Sequence, residues 1–421
     1  MSKITKYPFS QLYDMASGIS STKEQAGHGS PFVSFSTVFN NYFLPDTLPD
    51  LMDTSAREQE TYSIKKGDIL ITRTSETIDE LAMSCVATKD YPCATYSGFT
   101  KRLRPKTEGI AYHKYLAFYL RGELFRKTVT NNAFMTLRAS FNEDIFSFLN
   151  LYLPEHEEQV KIGDLLYDIE QKMQLNKHIC AELEAMAKTL YDYWFTQFDF
   201  PNAEGKPYRS SSGEMVWNDQ LKREIPRGWE VKEISSLCDI LSGYSFSSSI
   251  YSEQGKYKLI TIKNVQDNGI NLDVDNYIEE IPENLPAFCK LSYGDILMSL
   301  TGNVGRVGIM YADNCLLNQR VALIRPKQNS FTGYFFILFR SEQMRTIMEN
   351  IATGTSQKNL SPVDTGRILV PYDSKIADLF CNTTRAIIDK IVFCKKENYE
   401  LTKLRDWLLP MLMNGQARVE T

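Results

Sequence analysis

Residues 162–180, IGDLLYDIEQKMQLNKHIC, continued by AELEAMAKTLYDYW to Trp194, decide how this chain folds. Positions 162, 166, 169, 173, 176, 180, 183, 187, 190 and 194 follow a 4-3 spacing and read Ile, Leu, Ile, Met, Asn, Cys, Leu, Ala, Leu, Trp, nine of them apolar. Apolar residues returning every 3.5 positions make the seam of a coiled coil. Between Glu155 and Phe195 there is no proline and Gly163 is the one glycine, so the helix runs uninterrupted. Adding 214 gives Ile376, Phe380, Thr383, Ile387, Lys390, Cys394, Glu397, Leu401, Leu404 and Leu408, seven of them apolar. Asn176 and Lys390 then share an equivalent polar seam position, a device that fixes register at some cost in stability.

The repetition extends outward from the helices. Ser17-Gly18-Ile19-Ser20 returns as Ser242-Gly243-Tyr244-Ser245, and Gly67-Asp68-Ile69-Leu70 as Gly294-Asp295-Ile296-Leu297. Arg102-Leu103-Arg104-Pro105 returns as Leu323-Ile324-Arg325-Pro326, and Leu153-Pro154 as Val370-Pro371. The order is preserved, so the chain is two copies of one unit, each a globular block followed by a helix. Two amphipathic helices packed on separate domains would satisfy the seam alone. The repeat favours helices that pack on each other about a pseudo-twofold axis, antiparallel, with the blocks at opposite ends. Short β-rich runs (Pro31–Val38, Asp68–Thr72, Lys258–Val265, Asp295–Ser299, Arg320–Arg325) and amphipathic segments at 111–128 and 332–350 make the blocks mixed α/β. The expected fold class is α+β, with domains at 1–154 and 201–372 (linker 201–226) and helices at 155–200 and 373–421.

The formal net charge is −5. Residues 155–200 carry 4 basic and 10 acidic side chains, a net of −6, while 1–154, 201–372 and 373–421 come to +1, −1 and +1. Any contact with a polyanion must therefore come from local clusters of Arg and Lys. The start MSKITKYPFS has no signal-peptide core and no apolar run would span a bilayer, so a cytoplasmic protein without membrane attachment is expected. Eight scattered cysteines read as free thiols. No phosphate-binding loop, nucleophile elbow, methyltransferase motif or metal-ligand spacing occurs, so neither catalysis nor a cofactor or metal is expected of this chain.

The sequence offers donor-rich loops instead. Thr301-Gly302-Asn303-Val304-Gly305-Arg306 follows a strand, and its glycines permit a tight loop that projects Asn303 and Arg306. Arg can bridge guanine and Asn can bridge adenine bidentately. Asn318-Gln319-Arg320 and the loop Gly354-Thr355-Ser356-Gln357-Lys358-Asn359 add further donors. In the first block the matching segments are Arg73-Thr74-Ser75, the cluster Tyr96 to Arg102, and Thr136, Arg138 and Ser140. The candidate DNA-contacting residues are thus Arg73, Thr74, Ser75, Tyr96, Lys101, Arg102, Arg138, Thr301, Asn303, Arg306, Gln319, Arg320, Thr355, Gln357, Lys358 and Asn359. Each loop alone could equally be an ordinary surface turn. The near-neutral blocks also leave open a protein-interaction scaffold with degenerate reading loops.

The chain resembles, over its whole length, the specificity subunit of Type I restriction-modification systems. The resemblance rests on Leu190-Tyr191-Asp192-Tyr193-Trp194-Phe195, Met215-Val216-Trp217-Asn218, Ile225-Pro226-Arg227-Gly228-Trp229-Glu230, the loops at 301–306 and 354–359, and Leu404-Arg405-Asp406-Trp407 through Gln416. It implies two target-recognition domains on double-stranded DNA, reading the halves of an asymmetric bipartite site. It implies that the helix pair is a spacer ruler and the docking surface for two methyltransferase subunits, with restriction subunits joining the complex. A helix of about 40 residues is roughly 60 Å long, enough to set readers about one DNA turn apart. The first block departs from the pattern in lacking a GxxGR loop.

Overall fold

The computed structural model describes residues 4–132, 139–354 and 357–419. The chain divides into two compact units, Met1–Lys172 with Leu401–Thr421, and Met173–Glu400. The long helices His156–Tyr191 and Ser374–Met413 each contribute residues to both.

The two units repeat one topology. In the first, strand Tyr13–Ser17 pairs with Thr100–Pro105, which pairs with Ile69–Thr72, which pairs with Ser84–Val86, all antiparallel. In the second, Cys238–Ser242, Val321–Pro326, Ile296–Ser299 and Val307–Ile309 follow the same order and sense. Each unit adds a second sheet, of three strands in the first unit and four in the second, with one parallel pair, Ala26–Val33 with Thr95–Tyr96 and Tyr257–Ile260 with Cys315–Leu317. Each then continues into two helices, His113–Tyr119 and Glu123–Asn132, or Thr332–Arg340 and Glu342–Ile351.

Sequence signals explain most boundaries. The expected strand Pro31–Val38 stops early because Ser34 accepts the Thr37 N–H at 3.3 Å and starts helix Phe35–Asn40. The segment at 111–128 breaks into two helices after Leu120, and Ser341 similarly separates the later pair by capping Met344 N–H. The linker contains a hairpin, Met215–Asn218 against Arg223–Pro226. Of the eight free cysteines, all but Cys93 are buried.

In the first unit Ile162 and Leu166 of one long helix and Leu412 of the other join a core with Phe9, Ile69, Leu103 and Phe118. Arg405 Nη1 lies 3.2 Å from Glu170 Oε2. In the second unit Asn176 Nδ2 donates to Glu397 Oε2 (2.6 Å) and Asn398 Oδ1 (2.9 Å), and Cys180 Sγ approaches the Ile391 carbonyl. Partner numbers fall as the first helix's numbers rise, so the helices run antiparallel within the unit.

The seam of the first helix is as read, with Ile162, Leu166, Ile169, Met173, Asn176, Cys180, Ala187 and Trp194 buried. Of the second seam as read, Phe380 and Cys394 are buried and Ile376 and Ile387 partly so, but Leu404 is exposed, and over the first half the buried ridge widens to the residue after each seam position. Ala377, Cys381, Thr384, Ile388 and Ile391 are buried, whereas Lys390 is exposed and lies 4.8 Å from the Phe393 ring. The polar seam partners of Asn176 are therefore Glu397, a position read from the sequence, and Asn398, and Lys390 is not the equivalent position. No described helix is long and apolar enough to cross a membrane.

Candidate nucleic-acid interface

In the second unit the strand Ile296–Ser299 ends in Ser299, whose side chain organises the adjoining loop. Ser299 Oγ donates to the Asn303 carbonyl (2.6 Å) and accepts the Arg306 N–H (3.1 Å), while Gly305 N–H bonds the Ser299 carbonyl. Gly302 and Gly305 adopt φ of +75° and +72°, which favours glycine at both places. A methyl on Gly305 would also stand 2.9 Å from Met348 Cε. The loop pairs with the polar segment after Gly354, through a Thr301–Asn359 bridge and a bond from Gly302 N–H to the Lys358 carbonyl (2.9 Å). Leu300 N–H bonds the Arg320 carbonyl, and Arg320 Nη1 lies 3.5 Å from Thr301 Oγ1.

The structure thus gathers Thr301, Asn303, Arg306, Gln319, Arg320, Gln357, Lys358 and Asn359 on one rim. Asn303, Gln319, Arg320, Gln357, Lys358 and Asn359 are exposed, Arg306 is partly buried and Thr301 is buried. A cleft of about 490 Å³ beside them is lined by Lys263, Gln266, Asp267, Asn268, Thr301, Gly302, Asn303 and Arg306. Thr355 lies outside the described residues.

The first unit builds the same place differently. Arg73 N–H bonds the Phe99 carbonyl (2.8 Å), as Leu300 bonds Arg320, so Phe99 and Arg320 hold equivalent positions. Thr74–Ser75 pairs with Ala139–Ser140, the counterpart of the Thr301–Asn359 bridge. A cleft of about 380 Å³ is lined by Ile19, Ser20, Ser21, Arg73, Thr74, Ser97, Gly98 and Phe99. Arg73 is exposed, and the Phe99 ring is 62% exposed. Arg138 and Thr136 lie outside the described residues.

Four residues assigned to this face from sequence belong to the interior. Tyr96 is fully buried, with its hydroxyl donating to the Ser17 carbonyl at 3.1 Å. Arg102 stacks over Tyr96 and donates to the Ser63 carbonyl at 2.6 Å. Lys101 Nζ donates to Ser17 Oγ, and burial, then the Arg73 guanidinium, hold its pKa below the usual lysine range. Ser75 accepts the Thr77 N–H beneath the surface. For Lys101 and Arg102 the physical reason is topological: Thr100–Pro105 is a central strand with neighbours on both edges and both faces covered, so its polar side chains bond inward. Sequence reasoning named Phe99 within the Tyr96–Arg102 cluster and Ser20 within the repeat without choosing either as a contact, and passed over Ser21 and Asp267 with Asn268. The Asp267-Asn268-Gly269 turn between apolar Val265 and Ile270 was a legible hairpin signal. Among the described residues no group of three or more His, Cys, Asp or Glu could hold a metal.

At equivalent places near Gly18 and Gly243 an added methyl would stand 2.1 Å from the Ser97 carbonyl oxygen and 2.4 Å from that of Asn318. These close backbone crossings hold both rims in one geometry while the loops around them differ. Two units that repeat one frame and vary the loops at its rim define a two-headed recognition protein. The chain belongs to the family described as Type I restriction modification DNA specificity domain, which matches residues 10–185 and 226–392.

Relatives of similar size agree. The chain is 24% identical over 377 residues to the Type I restriction enzyme MjaIX specificity subunit of Methanocaldococcus jannaschii, covering 88% of this chain and 82% of that protein. It is 24% identical over 438 aligned residues to the HindI specificity subunit of Haemophilus influenzae, covering 91% and 94%. Its fold is similar to that of the Type-I restriction-modification system S subunit from M. genitalium, with a TM-score of 0.59 at 15% identity, covering 100% of this chain and 97% of that one.

Proposed function

We propose that this chain is the non-catalytic specificity subunit of a Type I restriction-modification complex, reading an asymmetric bipartite site on double-stranded DNA. One observation carries the reading: the two units share strand order, glycine crossings and loop pairing, yet differ in the chemistry their rims present. Arg320 stands where the first unit has Phe99, and Asn303 and Arg306 stand in a loop that the first unit replaces with Arg73-Thr74. Equal frames with unequal loops suit two half-sites of unequal sequence.

The antiparallel helices act as the spacer ruler and dock two methyltransferase subunits, through which restriction subunits join. The acidic segment 155–200 suits a protein partner better than DNA. The near-neutral blocks give few phosphate contacts, so affinity depends on surface the partners add. The cytoplasm is the expected site of work.

The test is selection from duplexes randomised at all positions, using the chain assembled with the methyltransferase subunits of its own system. Two short preferred sequences separated by a fixed unread spacer are expected. Binding without any sequence preference overturns the reading. A protein scaffold with degenerate loops is the alternative that near-neutral charge favours. Arg306→Ala with Lys358→Ala separates them, because DNA binding falls only if the loops read DNA.

A further inference from the structure

The second unit carries a hairpin with no counterpart among the described residues of the first. Between the first two strands of the second sheet, the first unit forms helix Phe35–Asn40, whereas the second pairs Val265–Gln266 with Gly269–Ile270. The hairpin tip sets Asp267 between two arginines. Its Oδ2 lies 2.8 Å from Arg306 Nη2 and its Oδ1 lies 3.3 Å from Arg345 Nη1. The Asn303 amide group stands 3.1 and 3.2 Å from Arg306 Nη1 and Nη2. Ser299 pins the Arg306 backbone, and Arg306 Nε is buried with no hydrogen-bond partner among the described residues. The tip itself is fastened: Lys395 Nζ donates to the Asn268 carbonyl (3.4 Å) and pairs with Glu184, which pairs with Arg340.

An unbraced arginine on a loop loses rotamer freedom on binding, and its N–H groups donate to any nearby phosphate or base acceptor. A guanidinium braced on two sides arrives with its plane set and loses less. That plane decides which base edge it fits. Guanine offers two acceptors, N7 and O6, whereas adenine presents an amino donor beside N7 and rejects a second donor. A carboxylate beside the reading arginine also repels phosphate, so it lowers binding to DNA at large while sharpening the choice.

We propose that Asp267 is a specificity-determining positioning residue, which fixes Arg306 to read a guanine in the second half-site. This rests on the reading of the Gly302–Arg306 loop as DNA-contacting. Asp267 is half exposed and outside the core, so its replacement leaves folding intact.

The experiment uses the full complex with its methyltransferase subunits and a pool of duplexes randomised over both half-sites. In the Asp267→Asn complex, preference for guanine at one position of the second half-site is expected to fall about tenfold, the lower part of the range for a bidentate base contact. The first half-site keeps its preference, non-cognate duplexes bind as well or better, and Asp267→Glu restores part of the lost choice. Arg306→Ala is run beside it. If Arg306→Ala loses the guanine preference and Asp267→Asn keeps it, the role given to Asp267 is wrong and the loop reading stands. If Arg306→Ala also keeps every preference, the loop reading itself falls. A uniform change of affinity in Asp267→Asn, with every preference intact, likewise overturns the proposal.

Discussion

Arg104→Ala should destabilise the first unit far more than Arg325→Ala destabilises the second, although the two arginines are repeat equivalents. Asp68 is fully buried and meets Arg104 through Nη2 at 2.6 Å and Nε at 2.8 Å, with the Lys65 N–H as a third bond. In the second unit Asp295 takes the Ser292 N–H, but the exposed Arg325 lies 5.9 Å from the Phe288 ring instead. Burial raises the Asp295 pKa, as expected for a carboxylate without a bonded cation. At an effective dielectric of about 20, unit charges 2.6 Å apart attract by roughly 6 kcal/mol. The Arg104 side chain is 28% exposed, which screens part of this, and a buried charge stripped of its partner typically costs about 3 kcal/mol. For a unit of this size that lowers the melting temperature by roughly 6–12 °C. Arg325→Ala should cost less than about 1 kcal/mol. Calorimetry of the full chain measures the shift, and hydrogen exchange at Ile69–Thr72 assigns it to the first unit. Arg104→Met with Asp68→Asn should recover most of the loss. Equal shifts for Arg104→Ala and Arg325→Ala would refute the reasoning, because the stranded carboxylate would then carry no energy.

The same geometry sets other outcomes. Phe99→Ala, at an exposed ring, should shift stability by under about 0.5 kcal/mol yet relax the first half-site alone, as read by duplex selection. Gly18→Ala and Gly243→Ala place a methyl against fixed backbone oxygens and should each cost about 3 kcal/mol or more, seen as a lower melting temperature of the unit concerned. His113 is held neutral, chiefly by burial and then by Lys66 and Lys114, with its pKa down at about 4. The unfolded chain therefore binds the proton first, so His113 supports stability above its unfolded value near 6.5, and that support is lost as pH falls through 4. His113→Gln should flatten the acid limb of a urea-midpoint titration in that window, and an unchanged limb would refute the assignment.

The first helix was legible because its seam is a property of one stretch of chain, with Ile162 to Trp194 at fixed spacing. The second was read through an alignment of constant offset. Over its first half the buried ridge also takes in the residue after each seam position, which no single offset can express. The repeated glycines gave the frame correctly because a close backbone crossing permits no other residue, whichever loops surround it. The rim was harder. Tyr96, Lys101 and Arg102 mix aromatics and bases as nucleic-acid contacts do, but the strand of Lys101 and Arg102 lies mid-sheet and the Tyr96 ring is buried under Tyr62 and Arg102, and strand order is settled by partners far along the chain. Asp267 escaped notice for the opposite reason: a search for donors passes over an acid whose work is to orient one.

The long helices have a consequence for how the protein is made. Leu412 is buried in the core of the unit that begins the chain, with Leu408 and Leu409 packed beside it. A ribosome therefore emits Leu412 and everything before it before that first core can close, while the unit formed by Met173–Glu400 has all its parts earlier. Its contacts span nearly the full sequence, which slows folding and leaves apolar surface open during synthesis. The domain that starts first finishes last, and a premature stop in the final turns of the second helix would unfold the beginning of the protein.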